Sequence, residues 1–131
     1  MSNVPRSTFR KRERIVSEKL METLFGGNGS HRLAAFPLRA VYIRKERAQD
    51  DAPVQVLVSV SKRHFKHAVD RNRVKRQVRE AYRKNKQVLY ESLPPTDQLL
   101  LAFIWLSDGH RSSSEVEKRV VGLMQRIAEK L

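Results

Sequence analysis

The chain has 131 residues, enough for one domain that buries roughly two thirds of its unfolded surface, and its 27 Lys and Arg against 14 Asp and Glu give a formal net charge of +13 at pH 7. It has no cysteine, which excludes disulfides, thiolate metal sites and cysteine nucleophiles and suits a reducing compartment. The basic start (Arg6, Arg10, Lys11, Arg12, Arg14) lacks a signal-peptide core, and the longest apolar stretch, residues 99–106, is far shorter than the roughly twenty residues a transmembrane helix needs, so the expected location is the cytoplasm.

The first dozen or so residues read as a flexible basic start to a single domain spanning 1–131. Ser17 is placed to cap a short helix reaching Phe25, with Leu20, Met21 and Leu24 on one face, before Gly26, Gly27, Asn28 and Gly29 end it. Residues 36–45 alternate loosely and predict a first strand, followed by a polar turn at 49–53. In residues 54–60 the valines 54, 56, 58 and 60 share one face of a second strand. From about His67 to Gln87 there is neither Gly nor Pro, and Val74, Val78, Ala81 and Tyr82 form the apolar stripe of a long helix. Pro94 and Pro95 bound a linker to residues 98–106, an unbroken apolar run expected of a central strand covered on both faces, with Trp105 in the core. Ser112, Ser113 and Ser114 open a last helix in which Ser114 and Glu117 suit a capping box and Val116, Val120, Leu123 and Ile127 are buried. The order α, β, β, α, β, α, without internal repeats, predicts a two-layer α/β sandwich: a small mixed sheet packed with helices.

Most of the charge excess sits in residues 62–86, where eleven Lys and Arg meet only Asp70 and Glu80. Such a field selects polyanions, and nucleic acid is favoured over a membrane surface, which would want large apolar groups opposite the charges. At about 100° per residue, Asn72, Arg76, Arg79 and Arg83 fall within about 60° opposite the apolar stripe, flanked by Arg71 and Lys75 on one edge and Arg73 and Lys84 on the other. A solvated helix face usually mixes its signs. Like charges at i, i+4 repel by a few tenths of a kcal/mol per pair, so this face costs stability unless a polyanion meets it. Guanidinium forks suit phosphate oxygens and stack on unpaired bases. Tyr42, Phe25 and Phe36 are candidate stacking surfaces, each with a core role as its alternative.

Residues 59–80, SVSKRHFKHAVDRNRVKRQVRE, resemble the signature of the bacterial ribonuclease P protein subunit family: a strand ending Ser-Val-Ser-Lys, a short loop, Ala-Val, one variable residue, then Arg-Asn-Arg, an apolar residue and Lys-Arg, with Arg-Glu shortly after. The resemblance extends through the flanking elements to nearly the whole chain. It implies an α/β fold with a left-handed βαβ crossover, and a protein that binds the catalytic RNA of the ribonucleoprotein and the 5′ leader of precursor tRNA. On that reading the RNA performs the endonucleolytic cleavage with magnesium that it mainly binds itself; no catalytic residue is expected in the protein, and its sequence shows no metal motif. The RNA-facing set it implies is Arg71, Asn72, Arg73, Lys75, Arg76 and Arg79, extended by Lys62 and Arg63 and, from the wheel, Arg83; Phe25 and Tyr42 are the cleft aromatics. This chain departs from the pattern at Met21, where an aromatic often stands, and in a loop one residue longer between Lys62 and Ala68.

Two rivals fit less well. A protein nuclease would need metal or acid–base groups, yet His64 and His67 lie in a basic loop without a zinc-site pattern or paired acids. A helix-turn-helix DNA reader would place a helix and tight turn before residue 66, where a valine-rich strand stands instead. A ribosomal protein is not separable by charge, and co-purifying RNA would decide it.

Overall fold

The apolar run expected to be central is the organising strand, β4 (Asp97–Trp105), buried along nearly its whole length. In the computed structural model, which describes residues 9, 11–15, 17–26 and 29–131, β4 pairs antiparallel with β2 (Leu38–Glu46) from Leu38↔Trp105 to Glu46↔Asp97. On its other side it pairs parallel with β3 (Val54–Ser59) from Val54↔Leu99 to Ser59↔Ile104. Arg6 and Arg10 of the basic start, and Gly27 and Asn28 of the expected turn, lie outside the described residues, as does most of the segment expected to be flexible.

One strand was not anticipated. β1 (His31–Ala35) pairs antiparallel with β2, giving the order β1-β2-β4-β3. The expected strand at 36–45 is therefore the second arm of a hairpin whose turn contains the cis Phe36–Pro37 peptide. β3 and β4 are joined through α2 (Ala68–Asn85) and α3 (Gln87–Ser92), so the parallel pair forms a βαβ unit. The single helix expected over 67–87 ends at Asn85, and a second begins after Lys86.

Period-2 alternation divides the sheet residues between two apolar clusters. On one face Val54, Val56, Val58, Leu99, Leu101, Phe103 and Trp105 meet α2 through Val74, Val78 and Tyr82 and α4 (Ser113–Ala128) through Val116, Val120, Leu123 and Ile127. This is the expected sandwich. On the opposite face Val41, Leu100 and Ala102 meet Leu24 of α1 (Glu18–Gly26) and Ile15, with Leu20 and Met21 packed alongside. Ile43, Leu57 and Ile104 also join this second cluster but are only partly buried, so α1 covers its face incompletely.

The segment before α1 wraps the β3 side of the sheet. Phe9 packs on Tyr82 with ring centroids 5.5 Å apart, a 3-10 turn follows at Lys11–Glu13, Arg14 bridges to Val56, and Ile15 N–H donates to the Val56 carbonyl at 3.0 Å. The strap thus passes from the α2 side of the sheet to the α1 side. Within it, Glu13 is buried against Lys86, whose Nζ lies 3.0 and 3.1 Å from the two carboxylate oxygens.

The cap of α4 is Ser112, whose side chain accepts from Glu115 N–H at 3.1 Å, two residues before the expected Ser114. Glu117, assigned to that box, instead accepts from Asn85 Nδ2 at 3.2 Å. No helix among the described residues is long and apolar enough to cross a membrane.

Candidate nucleic-acid interface

α2 buries Val74, Val78, Ala81 and Tyr82, which turns Asn72, Arg76, Arg79 and Arg83 outward. These four line a groove of about 410 Å³ whose other wall is formed by Phe9 and Arg14 of the strap. Glu80 also lines it and forks onto Arg83, with Nε 3.0 Å from Oε2. That hydrogen bond holds the Glu80 carboxyl below its ordinary range and raises Arg83. Among the described residues, no carboxylate pairs with Arg73, Arg76 or Arg79. Arg79 is lowered from its ordinary value, first by partial burial and then by the charge of Arg14. Arg79 therefore stands where a neighbouring cation disfavours its charge, and with Arg73 and Arg76 it leaves a surface whose positive field suits an anion.

The loop before α2 is fixed by contacts from the expected site residue Arg71 and from the segment between β4 and α4. Arg71 turns back, donating from Nη1 to the Phe65 carbonyl at 2.8 Å and the Lys66 carbonyl at 3.1 Å. Phe65 is buried and stacks on His110 at 4.6 Å. His64 Nδ1 lies 2.7 Å from Asp108 Oδ1, and His110 Nε2 lies 3.0 Å from Asp70 Oδ1. The longer loop is thereby pinned to the segment between β4 and α4, with Lys62, Arg63 and His67 exposed on it. Lys75 is half-buried, while Arg73 is exposed. Among the described residues, no group of three or more His, Asp or Glu is positioned to hold a metal ion.

The aromatic candidates divide. Tyr42 is only 3% exposed and belongs to the cluster beneath α2 and α4, its ring 5.1 Å from His31. This corrects the expectation that it offers a stacking face, because β1, unseen in the sequence, supplies the residue that covers it. Phe25, at the end of α1, is 39% exposed, and Phe36, in the hairpin turn, is 57% exposed with the Arg111 guanidinium 5.5 Å from its ring centroid. Sequence reasoning missed Phe9 as part of the site and counted Arg14 only as background charge. The available signal was Phe9 itself, the only aromatic before Phe25.

A mixed four-stranded sheet presenting one helix with an arginine-lined outer face defines a small α/β protein made to receive a polyanion. The chain matches the Ribonuclease P family over residues 9–128. It is 37% identical, over 98% of its own length and 92% of the relative's, to the ribonuclease P protein component of Porphyromonas gingivalis strain W83. It is 38% identical to that of Chlorobium phaeobacteroides over 86% of this chain and 80% of that one. The fold is similar to the RNase P protein of Thermotoga maritima, with a TM-score of 0.64 at 20% identity over 89% of this chain and 97% of that one. It is also similar to that of Staphylococcus aureus, with a TM-score of 0.60 at 16% identity over 89% and 95%. The chain belongs to the ribonuclease P protein family, and with it to the RNA-catalysed endoribonuclease of tRNA 5′ processing.

Proposed function

We propose that the outer face of α2 docks the catalytic RNA of ribonuclease P and that the incompletely covered face beside α1 receives the single-stranded 5′ leader of precursor tRNA. The observation that carries the first part is the groove in which Arg76 and Arg79 stand unpaired among the described residues, beside Asn72. Lys62, Arg63, Arg73 and Lys75 extend this face, and Arg71 serves it by shaping the loop that carries the first two. The second part is supported by Phe25, exposed at the end of α1, and by the partly buried Ile43, Leu57 and Ile104. A half-covered apolar surface with an aromatic at its margin suits unstacked bases. A cytoplasmic setting fits this substrate.

The carboxylates nearest the basic face, Asp70 and Glu80, are engaged by His110 and Arg83. With these carboxylates engaged, we place the magnesium of the reaction mainly with the RNA.

The test combines precursor tRNA cleavage by the matching catalytic RNA at low magnesium with RNA binding. Wild-type protein restores cleavage only when mixed with the RNA. Arg76→Ala and Arg79→Ala each weaken RNA binding and flatten its salt dependence by about 0.9 per lost duplex phosphate contact, with the thermal midpoint unchanged. Binding and slope that stay at wild-type values while the midpoint drops would make these arginines structural and end this reading.

A further inference from the structure

The strap that forms the second wall of the groove has no assigned part in binding, and three features of it point one way. Phe9 is partly exposed and carries the Arg14 guanidinium 5.2 Å from its ring centroid, while its ring also meets Tyr82. A guanidinium laid over an aromatic ring makes a layered platform that an unpaired base can extend. Arg14 is exposed and close enough to Arg79 for its charge to lower that residue, so two cations converge where the protein alone gains nothing from their approach. Glu13, the residue before Arg14, is locked to Lys86 in a buried pair that spans 73 residues of sequence. That anchor fixes the platform's position relative to α2, and a site held in place loses less entropy when its ligand arrives.

We propose that Phe9 and Arg14 form a subsite for one unpaired RNA nucleotide, its base layered on the Phe9–Arg14 stack and its phosphate held between Arg14 and Arg79, with the Glu13–Lys86 pair as the positioning device. This rests on the reading of α2 as an RNA-binding face and adds a requirement to it. The platform distinguishes unpaired from paired RNA even where both meet the helix face, because bases inside a duplex present no free face to it.

The experiment uses the full chain with a Phe9→Trp substitution. Trp105, the chain's single tryptophan, is 1% exposed and gives a shielded background. A short oligouridylate should quench the new emission by about half or more at saturation, since aromatic stacking on bases is the sequence-tolerant contact of single-strand binders. A duplex RNA of equal charge should leave it near its starting value. In the otherwise wild-type chain, Arg14→Gln should weaken oligouridylate binding roughly fivefold and lower the salt slope by about 0.7. Because Arg14 is exposed, that variant keeps the fold. Emission that is unmoved while anisotropy of a labelled oligouridylate reports saturation, or quenched equally by duplex, overturns the subsite. If Arg79→Ala weakens binding while Arg14→Gln does nothing, the subsite falls and the helix face stands. If Arg79→Ala also does nothing, the helix face itself fails.

Discussion

Arg76 and Lys86 belong to one basic run of sequence, yet their surroundings are opposite. Lys86 is 3% exposed, held by both oxygens of Glu13, with its Nζ 5.6 Å from the Tyr90 ring centroid. Arg76 is exposed in the groove, without an ion-pair partner among the described residues. Desolvating a lysine is tolerable only with a well-placed counter-charge, so Lys86 and Glu13 tie distant parts of the chain together. An uncompensated arginine on a helix face does the reverse, weakening the isolated fold slightly and keeping its attraction for a partner. Charge count alone cannot separate the two roles, whereas burial with a partner can.

The largest expected effect lies at the buried pair. Lys86→Met, which strands the Glu13 carboxylate, should cost about 3 to 5 kcal/mol in urea unfolding, and adding Glu13→Gln should recover much of it. A loss under about 1 kcal/mol would mean that water reaches the pair, and the contrast with Arg76 would collapse.

Next comes the pH response of the tyrosines beside it. Burial, then the Glu13 charge, pushes Tyr90 up to about 12, and burial holds Tyr82 well above its ordinary value. An unfolded chain releases phenolic protons near pH 10. The folded state retains them, so their contribution to stability is complete below about pH 10 and is lost as pH rises towards about 12. Tyrosinate absorbance should therefore stay low at about pH 10.5 while circular dichroism remains native. Ionisation with a midpoint near 10 in the folded protein would show these rings to be solvated.

The smallest effect belongs to the groove. Glu80→Gln removes its lining carboxylate, and should raise RNA affinity about two- to threefold with little change in the thermal midpoint, since exposed pairs stabilise little. Unchanged affinity would place the RNA elsewhere on the helix.

The sequence revealed those elements whose burial is periodic. Val74, Val78, Ala81 and Tyr82 on α2, the alternating valines of β3 and the continuous apolar run of β4 could be read directly, because the side chains that pack repeat at the period of their own element. β1 escaped because Leu33 is its one buried side chain and its ladder depends on β2. The division at Lys86 escaped because no Gly or Pro marks it. The α4 cap was misplaced because Ser112–Glu115 and Ser114–Glu117 have the same spacing, and only the backbone distinguishes them. Of the site, the arginine arc was legible from helical geometry, whereas the strap was not: Glu13 looks like one acid in a basic start, and its partner is 73 residues away.

β3 lies at the margin of the sheet, and its sequence, Val-Gln-Val-Leu-Val-Ser, has the β-propensity and lack of charge that favour strand-to-strand aggregation between molecules. The bond that Ile15 N–H donates to the Val56 carbonyl, where Arg14 lies opposite Val56, occupies a backbone group to which another chain's strand could otherwise pair. The strap therefore also covers part of this edge, and the net charge of +13 opposes the approach of a neighbouring copy.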